Sequence, residues 1–139
     1  MNEAYLKRAL KDALRVALPG CVVVRHEDKF TAGVPDLSVT WAGVTSWIEV
    51  KYERKGRLAK LTALQEKALQ DLAMAGAPAY ALTYAERGKD RVAHLSRLLN
   101  RTSSVDVVLF FDHKAVSEAI RDEHLRRNRG IIEGQQKGD

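Results

Sequence analysis

Two short stretches of the sequence place charged residues beside or within apolar runs. Asp36 follows Pro35 in the segment GVPDL, and Glu49 and Lys51 interrupt the run WIEVK. Taken singly, the first is explained by a turn at a strand entry and the second by a solvated strand face. Together, two carboxylates and an ammonium suit metal-assisted phosphodiester hydrolysis, in which the acids hold a divalent cation and the ammonium stabilises developing charge. The choice depends on whether the surrounding elements bring these groups together.

The two stretches lie on neighbouring predicted strands. Residues 37–41 alternate between apolar and polar, an Ala-Gly pair turns the chain, and residues 45–52 alternate again, which is typical of a β-hairpin. Successive side chains of a strand point to opposite faces, so Glu49 and Lys51 share one face. Asp36 opens the first of the two strands. If the strands pair, the three charged groups converge on one spot.

An amphipathic helix is predicted before the first strand. Apolar residues recur there at intervals of three and four, with charged residues between them, and a Pro-Gly pair closes the segment. The apolar positions are Leu6, Leu10, Ala13, Leu14 and Ala17, and the charged positions are Lys7, Arg8, Lys11, Asp12 and Arg15. The spacing predicts one apolar face along this helix.

The remaining elements are predicted from apolar spacing and turn residues. Residues 21–25 form a strand, a loop follows over 26–33, and Thr62 caps a helix that stops at Gly76. Then come a buried strand over 79–84, a short helix over 92–99, a buried strand over 105–111, a charged helix over 114–127 and a weakly ordered tail. This order predicts an α/β fold with a mixed sheet and helices on both faces. We expect one domain over residues 1–113, followed by the C-terminal helix and tail over 114–139.

The composition favours a nucleic-acid partner and argues against a membrane protein. The 139 residues suit one domain, and 23 Lys and Arg against 18 Asp and Glu give a net charge of +5 and a pI near 9.5. A basic surface attracts polyanions, nucleic acid most often. The N-terminal segment mixes both charge signs, unlike a signal peptide, and no apolar run approaches the roughly 18 residues of a membrane span. We therefore expect a soluble, cytoplasmic protein.

Three motifs in this chain resemble those of the PD-(D/E)xK nuclease superfamily. They are G-x-P-D, ending at Asp36, E-x-K over residues 49–51, and L-T-x-x-Q, ending at Gln65. The match is closest to the VRR-NUC branch of virus-type replication-repair nucleases, which is similar to archaeal Holliday-junction resolvases, and it covers roughly residues 3 to 85. The resemblance implies a restriction-endonuclease-like core of order α-β-β-β-α-β, extended here by a C-terminal strand and helix.

The resemblance also implies roles for individual residues. Asp36 and Glu49 match the metal ligands, together with the backbone carbonyl of Val50. The implied cofactor is Mg²⁺, with Mn²⁺ able to substitute. Lys51 matches the catalytic lysine, and Gln65 matches the helix-borne glutamine that contacts the site or the scissile phosphate.

A third acid is implied on the first helix. Glu3 fits this position best, because it precedes the leucine stripe as the family acid does. Asp12 is the alternative.

Basic residues flank the predicted site on both sides in sequence. They either face solvent or grip DNA phosphates, for which lysine and arginine set the affinity and its salt dependence. The candidates for DNA contact are Arg25, His26, Lys29, Arg54, Lys55, Arg57 and Lys60.

These observations predict a Mg²⁺- or Mn²⁺-dependent DNA endonuclease that acts in replication, recombination or repair. So short a chain shows no separate recognition element, so we expect selectivity for DNA structure, with branched DNA such as a Holliday junction as the target. Symmetric cutting of two strands needs two sites, which predicts a homodimer. The alternative is a non-catalytic nucleic-acid-binding module on the same fold, against which the clustered acids count.

Overall fold

Three helices and one six-stranded sheet make up the part of the chain that the computed structural model describes, residues 2–27, 33–54, 60–110 and 112–137. In chain order the elements are α1 (Glu3–Ala17), β1 (Val22–Arg25), β2 (Leu37–Trp41), β3 (Val44–Glu53), α2 (Ala63–Met74), β4 (Ala79–Arg87), β5 (Asp90–Leu98), β6 (Ser104–Phe110) and α3 (His113–Lys137). The predicted α/β fold with a mixed sheet flanked by helices is confirmed.

The sheet runs in chain order from β1 to β6. Among the described strands, β3 and β4 pair in parallel and all other neighbours are antiparallel. A parallel pair needs a crossover connection, and α2 supplies it. The predicted hairpin is confirmed as β2 and β3. Its turn residues Ala42 and Gly43 have φ of 52° and 75°, as a tight two-residue hairpin turn requires.

The core lies between one face of the sheet and the helices α1 and α3. The predicted leucine stripe of α1 is fully buried against Ile48 and Val50 of β3. Glu49 lies between these two residues in the strand and therefore points to the opposite face, which α2 covers. Packing of Ile48 and Val50 in the core thus sets the orientation of β3, and Glu49 on the other face points towards α2.

β5 corrects the prediction of a short helix over residues 92–99. The segment is a strand that pairs with β4 on one side and β6 on the other. Its apolar residues recur at three- and four-residue intervals, as in a helix, but Ala93 and Leu95 also alternate with polar residues and are buried in the sheet. Pairing along both edges decides in favour of the strand.

β6 is an edge strand and not the buried strand predicted over residues 105–111. Of the described strands only β5 pairs with it, and Val105, Val107 and Val108 are 44%, 40% and 67% exposed. The run of β-branched residues, which suggested burial on both faces, reflects strand propensity. Phe111 lies outside the described residues.

α3 is longer than predicted and belongs to the core. It starts at His113 and continues through the segment predicted as a tail to Lys137. Val116 and Ile120 lie in the same core cluster as the leucines of α1. Residues on both sides of position 113 therefore pack in one core. None of the described helices, α3 included, combines the length and apolarity that a membrane span needs.

His124 connects α3 to the β2–β3 hairpin. Its Nδ1 lies 3.0 Å from the Trp41 carbonyl oxygen and its Nε2 lies 2.6 Å from the Ser46 hydroxyl. A neutral imidazole satisfies both contacts, since Nδ1 can donate and Nε2 can accept. Burial lowers the pKa of His124, which favours that neutral form. α3 therefore holds the β2–β3 hairpin, which carries Glu49, through residues on both sides of the hairpin turn.

Candidate active site

Asp36 and Glu49 are held against each other by two backbone amides. The Asp36 amide donates to Oε2 of Glu49 at 3.2 Å, and the Val50 amide donates to Oδ2 of Asp36 at 2.9 Å. The β2–β3 register pairs Leu37 with Ile48, which sets Asp36 opposite Glu49. The structure thus brings the two predicted carboxylates together.

Gln65 reaches the same place from the start of α2. Thr62 and Gln65 form a capping box, in which the Thr62 hydroxyl accepts from the Gln65 amide at 3.1 Å and Oε1 of Gln65 accepts from the Thr62 amide at 3.0 Å. With its oxygen engaged, Gln65 presents Nε2 to Glu49 and donates to Oε1 at 3.1 Å. The cap that begins the helix therefore also orients a site residue.

Gly33 allows α2 to approach the site this closely. Its φ is +87°, and a Cβ at this position would lie 2.6 Å from the carbonyl oxygen of Leu64. Any other residue would strain the backbone and push against the first turn of α2, which carries Gln65. The glycine of the G-x-P-D motif thus has a packing role.

Two lysines face the two carboxylates. Nζ of Lys51 lies 3.8 Å from Oε1 of Glu49, and Nζ of Lys7 lies 3.0 Å from Oδ1 of Asp36, with both side chains mostly buried. From the sequence, Lys7 is only one of the charged residues of the predicted first helix. Its spacing could have indicated a position near the sheet, because Lys7 precedes Leu10 by three positions and so borders the buried leucine stripe.

The electrostatics of the carboxylate pair favour a bound cation. Glu49 is only 2% exposed. This burial raises the pKa of Glu49 to about 8, the Asp36 carboxylate adds to the rise and Lys51 opposes it. Two adjacent carboxylates that resist joint ionisation are stabilised by positive charge brought to them.

The donors present fit a hard divalent cation. Mg²⁺ and Mn²⁺ bind carboxylate oxygens and are commonly held by one or two protein carboxylates, with water or phosphate oxygens completing the shell. Asp36 and Glu49 supply that set, and the Val50 carbonyl belongs to the same strand. Among the described residues, no group of three or more His, Cys, Asp or Glu side chains could hold a metal. The described residues thus bring two acids together at this site.

Neither candidate for the third acid joins this pair. Glu3 is half-buried and lies one helical turn before Lys7, so it shares the face of α1 that meets Asp36. Asp12 is exposed and lies five positions after Lys7, which turns it to another side of the helix. The geometry favours Glu3 of the two, and its role as a ligand stays a prediction.

His26 lies next to the carboxylates and contacts Asp36, Ser38 and Trp47. Its amide donates to the Asp36 carbonyl at 2.8 Å, its Nε2 lies 2.8 Å from Ser38 Oγ, and its ring stacks on Trp47 with centroids 5.3 Å apart. Trp47 shares the face of β3 that carries Glu49. A flat ring pair therefore lies next to the acids.

The other predicted DNA contacts divide into described and undescribed residues. Arg25 is half-buried and pairs with Glu27 at 3.3 Å, whereas Arg54 and Lys60 are exposed. Lys29, Lys55 and Arg57 lie outside the described residues. Contact with DNA stays a prediction for all of them.

The fold is shared with a solved nuclease structure. Hjc, a Holliday junction resolvase from the archaeal hyperthermophile Archaeoglobus fulgidus, matches 82% of this chain and 98% of its own with a TM-score of 0.53 and 20% sequence identity. At this identity the likeness shows the fold, and it confirms the predicted restriction-endonuclease-like architecture. No family model matches the sequence, and no curated protein does. The VRR-NUC assignment stays a prediction.

Proposed function

We propose that this protein is a divalent-metal-dependent endonuclease that hydrolyses DNA phosphodiester bonds. The observation that carries the proposal is the pairing of buried Glu49 with half-buried Asp36, both bonded to backbone amides and flanked by Lys51 and Gln65. A module that only binds nucleic acid needs basic residues near phosphate and gains nothing from placing two acids side by side away from water. The fold shared with a Holliday junction resolvase supports the same conclusion.

Each residue of the site has a role in this proposal. When bound, Mg²⁺ or Mn²⁺ activates a water molecule and offsets charge on the phosphate. Asp36 and Glu49 would hold the ion together with the Val50 carbonyl, and Gln65 keeps Oε1 of Glu49 in place. The Lys51 ammonium stabilises the negative charge that develops on the phosphate oxygens.

The proposed substrate is DNA of a particular structure, such as a four-way junction formed in replication, recombination or repair. The described part of the chain shows no element set apart to read base edges, so shape and backbone contacts are the available means of selection. The stacked His26–Trp47 pair offers a surface for an unpaired base beside the acids. Paired cuts need two sites, so we propose a homodimer as the acting form.

Cleavage of a labelled four-way junction and of linear duplexes with the same arm sequences tests the proposal. We expect the wild type to cut the junction in Mg²⁺ or Mn²⁺ but not in EDTA, and Lys51→Ala to lose the activity. Lys67→Ala is the matched control, because Lys67 is an exposed lysine on α2 whose partner is Asp71. Metal-independent cutting, or unchanged cutting by Lys51→Ala, would refute the proposal. Tight binding without cleavage would favour the non-catalytic module.

A further inference from the structure

A second charged cluster lies on the opposite face of the sheet, between α3 and the β5–β6 edge. A cavity of about 370 Å³ is present there, with one wall formed by apolar residues of β5 and β6. Arg97, Arg126 and Arg129 lie around it. Asp122, an acid at the rim, is paired with Arg121 at 3.4 Å. The cavity is therefore apolar on one side and charged on the other, where Arg97, Arg126 and Arg129 lie with the acids Asp122 and Glu123.

Glu123 is the carboxylate at the centre of this cluster, and it is shared by three guanidinium groups. Arg97 approaches its Oε1 at 3.6 Å, Arg127 donates to the same oxygen at 2.7 Å, and Arg126 contacts Oε2. Glu123 and Arg97 are both largely removed from water. One negative charge cannot balance three positive charges, so the cluster carries an excess of positive charge beside the cavity.

Tyr80 lines the same cavity and is 3% exposed, and its buried hydroxyl has no hydrogen-bond partner among the described residues. Burial raises the pKa of Tyr80 to about 12, so the hydroxyl keeps its proton and remains a donor. The charged groups acting on it are Arg97, Arg126 and Arg127, which donate hydrogen bonds and accept none. These arginines offer the Tyr80 hydroxyl no acceptor, and a buried donor without an acceptor is unfavourable unless a bound group supplies one.

We propose that this cavity binds a phosphate group, which accepts a hydrogen bond from Tyr80 and pairs with the guanidinium groups of Arg97 and Arg126. A phosphate offers several acceptor oxygens, and the planar fork of arginine matches its geometry. The group belongs either to a free phosphate or mononucleotide, whose body would lie on the apolar wall, or to the backbone of bound DNA. This site is separate from the carboxylate pair and does not depend on nuclease activity.

Titration of the full chain with inorganic phosphate, thymidine 5′-monophosphate and a linear duplex tests the site, each against chloride at matched ionic strength. Calorimetry measures the affinity, and thermal unfolding measures the stabilisation. A free anion as the ligand predicts saturable binding of phosphate or the monophosphate, with a rise in Tm. A DNA phosphate as the ligand predicts that only duplex affinity depends on the arginines of the cavity.

Two variants make the test specific. Tyr80→Phe removes only the unpaired hydroxyl, so we expect a higher Tm in phosphate-free buffer and binding that is weaker by about tenfold, the effect of one hydrogen bond to a charged group. Arg126→Met is expected to weaken binding of the ligand, and Arg101→Met is its control. Arg126 and Arg101 are 61% and 55% exposed, and each pairs with one acid. The proposal is overturned if chloride acts like phosphate and neither Tyr80→Phe nor Arg126→Met changes duplex affinity more than Arg101→Met does.

Discussion

The two charged clusters of this protein contain acids and bases in opposite proportions. At the β2–β3 site two carboxylates meet two lysines, whereas between β5 and α3 one carboxylate meets three arginines. The first cluster is balanced but contains a buried acid whose ionisation is opposed, and the second carries excess positive charge and a donor without an acceptor. The first therefore gains from a cation and the second from an anion, although both belong to one chain of net charge +5.

The choice of base differs between the clusters in a way that suits each ligand. Lys7 and Lys51 are point charges on flexible stems, so they can leave a carboxylate when another cation arrives. Arg97, Arg126 and Arg127 present rigid planar forks that match oxyanions and stay charged at any working pH. The type of base, as well as the count of charges, therefore distinguishes a cation site from an anion site.

The largest effect is expected from Glu49→Gln. Removing one acid of the Asp36–Glu49 pair should abolish detectable Mn²⁺ binding and lower junction cleavage by about 10³-fold, the loss typical of a main electrostatic contributor. Calorimetry with Mn²⁺ and single-turnover cleavage measure the two results. Glu66→Gln, at an exposed acid in the first turn of α2, is the control and should behave as wild type. Normal Mn²⁺ binding by Glu49→Gln would contradict the assignment of the β2–β3 site as the cation site.

The pH dependence of the metal-free protein should show the buried acid directly. The pKa of Glu49 rises from 4.5 to about 8 on folding, so the folded chain binds a proton that the unfolded chain releases over this range. The contribution of Glu49 to stability is therefore fully present below about pH 4.5 and is lost as the pH rises through about 8, a change on the order of a few kcal/mol. Urea unfolding in EDTA at several pH values measures it.

Two comparisons isolate the cause of this pH dependence. Glu49→Gln should flatten the curve, and Mn²⁺ should restore the wild type at high pH because the cation binds the ionised form. An equal slope in wild type and Glu49→Gln would assign the effect to another group.

Glu123→Gln should reveal the excess positive charge of the second cluster. Three guanidinium groups lose their shared carboxylate, one of them largely buried, so we expect a loss of about 3 kcal/mol in the free energy of unfolding. Phosphate should recover part of this loss, because an anion in the cavity takes over the missing charge. Urea unfolding with and without phosphate measures both effects. If phosphate does not change the loss in the free energy of unfolding, Glu123 is not coupled to an anion site in this cavity.

Lys7→Met should give the smallest change, in the direction of tighter metal binding. Oδ2 of Asp36 is bonded to the Val50 amide, so Lys7 occupies the oxygen that an incoming cation would use. Without this competitor we expect Mn²⁺ to bind about tenfold more tightly, equivalent to about 1.4 kcal/mol, while stability in EDTA falls slightly. Lys11→Met, one turn further along α1, is the control. Unchanged Mn²⁺ affinity would mean that Lys7 does not compete.

Local patterns were sufficient to predict the elements around the carboxylates. Strict alternation with an Ala-Gly turn predicted the β2–β3 hairpin, and Thr62 as a capping residue predicted the start of α2. The approach of Asp36 to Glu49 then follows from strand pairing alone. Each of these inferences depends on residues that are close in sequence or joined by a two-residue turn, where chain geometry leaves few alternatives.

Contacts between distant elements could not be predicted in the same way. Lys7 meets Asp36 only because α1 crosses the sheet at one particular place. The spacing of residues within the helix does not predict where that crossing lies. Arg97 meets Glu123 only if β5 is a strand, yet its apolar spacing also fits the helix that was predicted. Exposure of β6 likewise depends on its being the last strand in the described sheet, which strand propensity does not reveal.

The two amides that hold the carboxylates also make each acid observable by nuclear magnetic resonance. The Asp36 amide is bonded to Glu49 and the Val50 amide to Asp36, so each amide proton senses one carboxylate. In a nitrogen–proton correlation spectrum two separate cross-peaks then follow the two acids through a titration with acid or metal. Bulk titration of an interacting pair gives values that belong to the pair as a whole. These two backbone signals assign the order of protonation to individual side chains.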